Sequence, residues 1–242
     1  MIEKHIAIAT PSGPMSTFIV HPERDGPHPV ILFFMDAPGI REELRMMARR
    51  LATVGYYVML PNLYHRSNVE EIGTFIGDAA AETRKKMFAL MGSLDIPKVM
   101  EDSDALVAYA DADPAASNGA MGTLGYCMSG QYAISAAARH PGRVRAAASI
   151  YGVRLKTDAP DSPHLAMRKA KAEFYVAWAE IDHYAPLEEL EPFKQSLGSV
   201  NVEIELYKGA EHGFAFPERP AYNRDAAERH WERLFALYGR MK

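Results

Sequence analysis

Residues 120–133, A-M-G-T-L-G-Y-C-M-S-G-Q-Y-A, constrain this chain more than any other stretch. A short apolar run over 121–126 ends at Cys127, and small, helix-compatible residues follow from Ser129 to Ala138. The pattern predicts a strand, a sharp turn and a helix, with one reactive side chain at the apex. Such a turn drives its central residue toward strained backbone angles, so its neighbours must be small. Gly125, Ser129 and Gly130 meet that requirement. Backbone N–H groups that open a helix point at whatever the apex residue attacks. They can bind a developing oxyanion, and the helix dipole lowers the pKa of a thiol placed there. A lone cysteine in an apolar stretch is ordinarily an inert core residue. A core strand, however, has no need of glycine close on both sides of its last residue. Cys127 stands where a G-x-S-x-G elbow holds its serine, and it is the candidate nucleophile.

The rest of the composition narrows the class. A chain of 242 residues with 48% hydrophobic content can bury one large core, and α/β folds often reach this length as a single unit, here expected over 1–242. A formal net charge of −4 offers no basic field, which argues against nucleic acid or an anionic membrane as main partner. One cysteine excludes an intramolecular disulfide framework and fits a reducing compartment. The opening M-I-E-K-H-I-A-I-A-T has no signal-peptide pattern, and no apolar run approaches the roughly 18 residues that span a bilayer. The expectation is a cytoplasmic protein, as monomer or small homo-oligomer.

Taken in order, residues 5–10 and 16–21 flank P-S-G-P and read as a hairpin. Residues 29–35 form a continuous apolar run, the mark of a strand buried on both faces, ending in D-A-P-G-I-R. Residues 41–54 show helical spacing closed by Gly55, and 56–60 are another strand. Residues 62–96 lack strand signal and read as a helical excursion, with Met87, Phe88, Leu90 and Met91 on one stripe. A helix over 97–110 and a turn-rich loop over 111–119 lead into the elbow strand. Beyond the elbow helix, strands are expected at 144–150, 172–177 and 202–207, and helices at 187–197 and 221–238. Residues 155–167 read as irregular. Strands alternating with helices imply an α/β fold with a mostly parallel sheet covered on both faces, whose ligands gather at the carboxyl ends of the strands.

An elbow nucleophile needs a base, and the base an orienting acid, in the chain order nucleophile, acid, histidine. Of nine histidines only His212 follows a late strand inside a tight glycine-bearing loop, K-G-A-E-H-G-F. The acid should follow the preceding strand, where A-E-I-D-H-Y-A-P offers Asp182, with Glu180 as its rival. Tyr64, His65 and Arg66, directly after a strand, and Arg84 in the excursion are candidates to line a substrate pocket.

G-Y-C-M-S-G, A-E-I-D-H, G-A-E-H-G-F and F-F-M-D-A-P-G-I-R together resemble the dienelactone hydrolase family of α/β-hydrolases, from about Pro29 to the last helix. The resemblance implies a cysteine-dependent opening of enol-lactones or esters through an acyl-thioester, with Cys127, His212 and Asp182 as the triad. It also places the family's thiol-activating acid on Asp36 and its oxyanion donors on the backbone N–H groups of Ala37 and Met128. No metal or organic cofactor is implied, and the partner is a small ester or lactone. This chain departs from the family in three places. Ser129 replaces a usual glycine, Asp36 stands where the best-known members carry Glu, and Phe216 replaces an arginine that holds a substrate carboxylate, with Arg219 slightly beyond. Two other functions fit the same residues: a thiol-based redox sensor, and a catalytically silent binding module.

Overall fold

The computed structural model describes residues 1–73 and 75–241, and its backbone groups into two compact units, Met1–Asn118 and Gly119–Lys242.

In the first unit, β1 (Ile2–Thr10) and β2 (Gly13–His21) form the expected antiparallel hairpin. Next come β3 (His28–Phe34) and β4 (Tyr57–Pro61); β2 pairs antiparallel with β4, which pairs parallel with β3, in the order β1-β2-β4-β3. Val30, Ile31, Leu32, Phe33 and Phe34 are wholly buried, which is why β3 reads as an unbroken apolar run. Helix α1 (Glu42–Thr53) buries Leu44, Met47, Ala48 and Leu51. Gly55 follows it at φ +99°, its N–H bonded to the Ala52 carbonyl at 3.0 Å, as a residue past a helix end requires.

Among its described residues, the 62–96 stretch carries a 3-10 turn (His65–Ser67) and α2 (Ala80–Gly92). Its expected apolar stripe is only partly covered. Leu90 is buried, Phe88 is 41% exposed, and the other buried side chain of α2 is Thr83. Helix α3 (Ile96–Ala112) is capped by Asp95, whose carboxylate accepts the Lys98 N–H at 2.8 Å.

Strand β5 (Ala116–Tyr126) begins five residues before the apolar run that announces it. Asn118 and Gly119 are exposed, so this half of the strand has no hydrophobic pattern to reveal it. In the second unit, β5 is followed by α4 (Gly130–Arg139), β6 (Val144–Ile150), α5 (Pro163–Lys169), β7 (Glu173–Ile181), α6 (Leu190–Leu197), β8 (Val202–Glu211) and α7 (Arg224–Gly239). The strands lie in the order β5-β6-β7-β8, all parallel. Helix α5 corrects the expectation of irregular chain. Ser162-Pro163 is a helix-start signal, since proline's fixed φ and missing N–H suit the first helical turn. Strand β7 also runs four residues further than expected, so Asp182 directly follows its last residue. Parallel strands in sequential order put the ends of β5, β7 and β8, and hence Cys127, Asp182 and His212, on one side of this unit.

The elbow is packed against its own glycines. A Cβ added to Gly125 would overlap the Ser129 carbonyl and come within 2.9 Å of the Gly130 nitrogen, while one on Gly130 would meet the Gly152 Cα at 2.6 Å. Each obstacle includes backbone, which cannot swing aside. Gly125→Ala is therefore expected to cost about 3 kcal/mol of stability or more, read from the shift in a urea unfolding midpoint. An unchanged midpoint would count against this packing.

Candidate active site

Cys127 adopts φ +54°, a backbone region that residues with a Cβ enter only when the surrounding structure compels it. Compulsion comes from both sides of the turn. Strand β5 is tied to α4 by the Thr123 hydroxyl donating to the Ala133 carbonyl at 2.8 Å, and the Val153 N–H donates to the Cys127 carbonyl at 3.1 Å. A 3-10 turn over Cys127–Ser129 leads into α4, placing Met128 where main-chain N–H groups face outward along the helix axis. Ser129 is fully buried at φ −89°, a conformation open to any residue. The strained apex thus belongs to Cys127, and the serine in place of the family's glycine needs no left-handed angle.

The side chain of Asp182 is fully buried and held by its own turn. One carboxylate oxygen accepts the N–H groups of Tyr184 and Ala185, at 2.7 and 3.1 Å, and the other lies 2.7 Å from Nδ1 of His212. The Trp178 indole donates to the Ala185 carbonyl at 3.0 Å, fixing the same turn from below. Glu180 does different work. Its carboxylate accepts the N–H of Gly209, at φ +68°, at 2.7 Å, and so ties β7 to the end of β8, which His212 directly follows.

The His212 side chain is 12% exposed. Burial pulls its pKa down, but the hydrogen bonds to Asp182 and Cys127 and their charges outweigh this and lift it to about 9. An imidazole oriented by a carboxylate at Nδ1 keeps Nε2 to accept a proton from a thiol and return it elsewhere.

Two aromatic side chains that sequence reasoning assigned no role, Tyr151 and Tyr184, pack against the imidazole of His212. Tyr151, at φ +37°, sets its ring 4.9 Å from the imidazole and packs against Tyr126, Phe214 and Phe216. Its position just past β6 was the signal that could have found it, because strand ends build the site in such folds. Tyr184, in the acid turn, lies 4.9 Å from the imidazole on centroids. Tyr126 donates to or accepts from the wholly buried His230 at 2.9 Å, which places that histidine in the core. Phe216 is 1% exposed, and the guanidinium of Arg219 sits 5.1 Å above its ring.

The remaining sequence candidates lie in the first unit. Asp36, 1% exposed, is gripped by both terminal nitrogens of Arg41 at 2.6 and 3.2 Å, and Arg41 also reaches Glu43 at 2.7 Å. The Ala37 carbonyl accepts the Tyr64 hydroxyl at 2.7 Å. His65 and Arg66 both engage the fully buried Asp102, at 3.1 Å and at 2.7 and 2.9 Å, and Arg66 extends to Glu101 at 3.3 Å. Arg84 is exposed on α2.

Known proteins resemble this chain along nearly its whole length. A candidate carboxymethylenebutenolidase of Methylorubrum extorquens is 28% identical over 248 residues, covering 99% of this chain and 82% of the relative. A carboxymethylenebutenolidase of Pseudomonas putida is 27% identical over 228 residues, covering 94% of this chain and 92% of the relative. The crystal structure of a candidate dienelactone hydrolase from Klebsiella pneumoniae subsp. pneumoniae superposes with a TM-score of 0.86 at 24% identity, over 98% of each chain, and shows the same α/β-hydrolase fold. The profile of the dienelactone hydrolase family matches residues 15–241, nearly the whole sequence, and this chain belongs to that family.

Proposed function

We propose that this hydrolase cleaves small esters or lactones through an acyl-thioester on Cys127. The observation that supports the reading best is His212, bonded at Nδ1 to a buried carboxylate, on the same side of its unit as a thiol held at a strained apex. In the cycle, the Cys127 sulfur attacks the carbonyl carbon and the charge on its oxygen is met by main-chain N–H groups at the elbow, Met128 among them. The carbon–oxygen bond breaks, and the leaving oxygen takes the proton held by His212. Water then gives a proton to His212 and attacks the thioester; the carbon–sulfur bond breaks, and the acid departs. Asp36 and Ala37 enter only through the family's pattern, as activating acid and second oxyanion donor. The single cysteine and the small-molecule chemistry support a cytoplasmic enzyme.

The test is a panel of p-nitrophenyl esters and dienelactones, assayed with the parent protein and Cys127→Ala. Turnover by the parent and none by the variant supports the reading. Peroxide modification of Cys127 with no turnover of any ester would favour a redox sensor instead. Unaltered ligand affinity in Cys127→Ala, again with no turnover by the parent, would favour a binding module.

Substrate charge separates this chain from better-known members. A carboxylate in a partly dry pocket needs a charge-assisted partner worth roughly 1.5–3 kcal/mol. Phe216 supplies none, Arg66 already faces Asp102 and Glu101, Arg84 is exposed, and Arg219 stacks on Phe216. We expect kcat/KM for a dienelactone with a free carboxylate to exceed that of its methyl ester by less than about 100-fold, or roughly 2.7 kcal/mol. A larger ratio would reveal a dedicated carboxylate site, which alanine substitution of Arg219, Arg66 and Arg84 in turn would locate.

A further inference from the structure

We propose that Tyr184 is a specificity-determining residue, the wall against which a planar leaving group stacks as it departs, so that aryl and enol esters are favoured. The inference rests on the thioester reading above and names the alcohol side of its substrates.

The argument starts from the proton. Asp182 occupies Nδ1 of His212 at 2.7 Å, so the imidazole can hand a proton to the leaving oxygen only from Nε2. Whatever is bonded to that oxygen must then lie beside the imidazole, within a bond or two of its Nε2 end. Two aromatic rings pack against the imidazole, each with its centroid 4.9 Å away. Tyr151 is 1% exposed and enclosed by Tyr126, Phe214 and Phe216, so a departing group cannot lie on it. Tyr184 is 58% exposed, and among the described residues its hydroxyl makes no hydrogen bond.

The ring is open but not loosely placed. The Tyr184 N–H donates to the same Asp182 oxygen that the Ala185 N–H reaches, so the turn that presents the carboxylate to His212 also presents the tyrosine. Acid and aromatic surface are thereby positioned by one backbone turn. Offset or edge-on packing between aromatic rings adds attraction beyond area burial, and a compact saturated alcohol gains little of it. The chemical class this favours is an ester whose leaving oxygen sits on a flat, unsaturated carbon framework.

The experiment compares phenyl acetate with hexafluoroisopropyl acetate, whose leaving groups are of similar acidity but only one of which is planar. The readout is the ratio of their kcat/KM values in the parent, Tyr184→Ala and Tyr184→Phe. We expect the ratio to fall by about fivefold to tenfold in Tyr184→Ala and to be retained in Tyr184→Phe. A ratio unchanged in Tyr184→Ala overturns the proposal, and so does a ratio lost equally in Tyr184→Phe, which would assign the effect to the hydroxyl. Iodoacetamide-labelled parent protein, assayed on both esters, tests the underlying mechanism separately. Persisting turnover there would remove the thioester reading whatever the ratio shows.

Discussion

One equivalent of iodoacetamide is expected to abolish hydrolysis, with the label on Cys127. The chain has no other cysteine, so stoichiometric labelling identifies the site by arithmetic alone. Reactivity is expected because the thiol is partly exposed at the apex of a turn that opens a helical run. Loss of a nucleophile that works with its base as a unit removes most of the catalytic effect, so residual activity should lie at least about 10³-fold below the parent. Full activity in quantitatively labelled protein would sink the thiol mechanism. Ser129 is the built-in control. It lies two residues past the apex, buried and unstrained, so Ser129→Ala should keep most of the activity. A collapse of several orders of magnitude there would transfer the role of nucleophile to the serine.

The second large effect is expected at the base. His212→Ala should lower kcat by roughly 10³-fold or more, the scale on which removal of a triad member acts. Asp182→Asn should cost at least about tenfold, because an amide facing Nδ1 disturbs the tautomer that the carboxylate selects. Glu180→Gln should cost less than Asp182→Asn, since Glu180 holds Gly209 and not the imidazole, and the amide oxygen of glutamine can still accept that N–H. If Glu180→Gln proved the more damaging, the assignment of the acid would be wrong.

The same hydrogen bonds fix the direction of the pH dependence. The imidazole's pKa is raised from about 6.5 to about 9, so the charged, proton-donating form persists through neutral pH and is lost as pH rises through 9. The kcat/KM profile should therefore fall on its alkaline side near pH 9. The pairing's contribution to stability follows the same sign, complete below about pH 6.5 and gone above 9. In Asp182→Asn the alkaline limb should move to lower pH, because one of the partners that raise the pKa has lost its charge. An alkaline limb that stays in place in that variant would show that His212 is not the titrating group.

The chemistry of this chain was legible where short-range rules act. Gly125 and Gly130 bracket Cys127 because a turn this tight leaves no room for a Cβ, and this holds whatever else the chain does. The buried β3 could be read from its unbroken apolar run, and the order cysteine, aspartate, histidine from the way parallel strands deliver their ends to one side. Spacing could not choose between Asp182 and Glu180, which are two residues apart on the same stretch. That choice depends on β7 running on to Ile181, which leaves Glu180 within the strand, bonded to Gly209 near the end of β8, and Asp182 in the turn facing His212. Nor could sequence place both Tyr151 and Tyr184 against one imidazole, since they are 61 and 28 residues from His212 and come from different loops. Arg66 likewise read as a pocket cation until α3 was seen to bring Asp102 against it. Local backbone geometry is fixed by neighbours in the chain and is written in the sequence. Which side chains share a hydrogen bond across tens of residues is fixed by strand length and helix packing, and only the folded structure decides it.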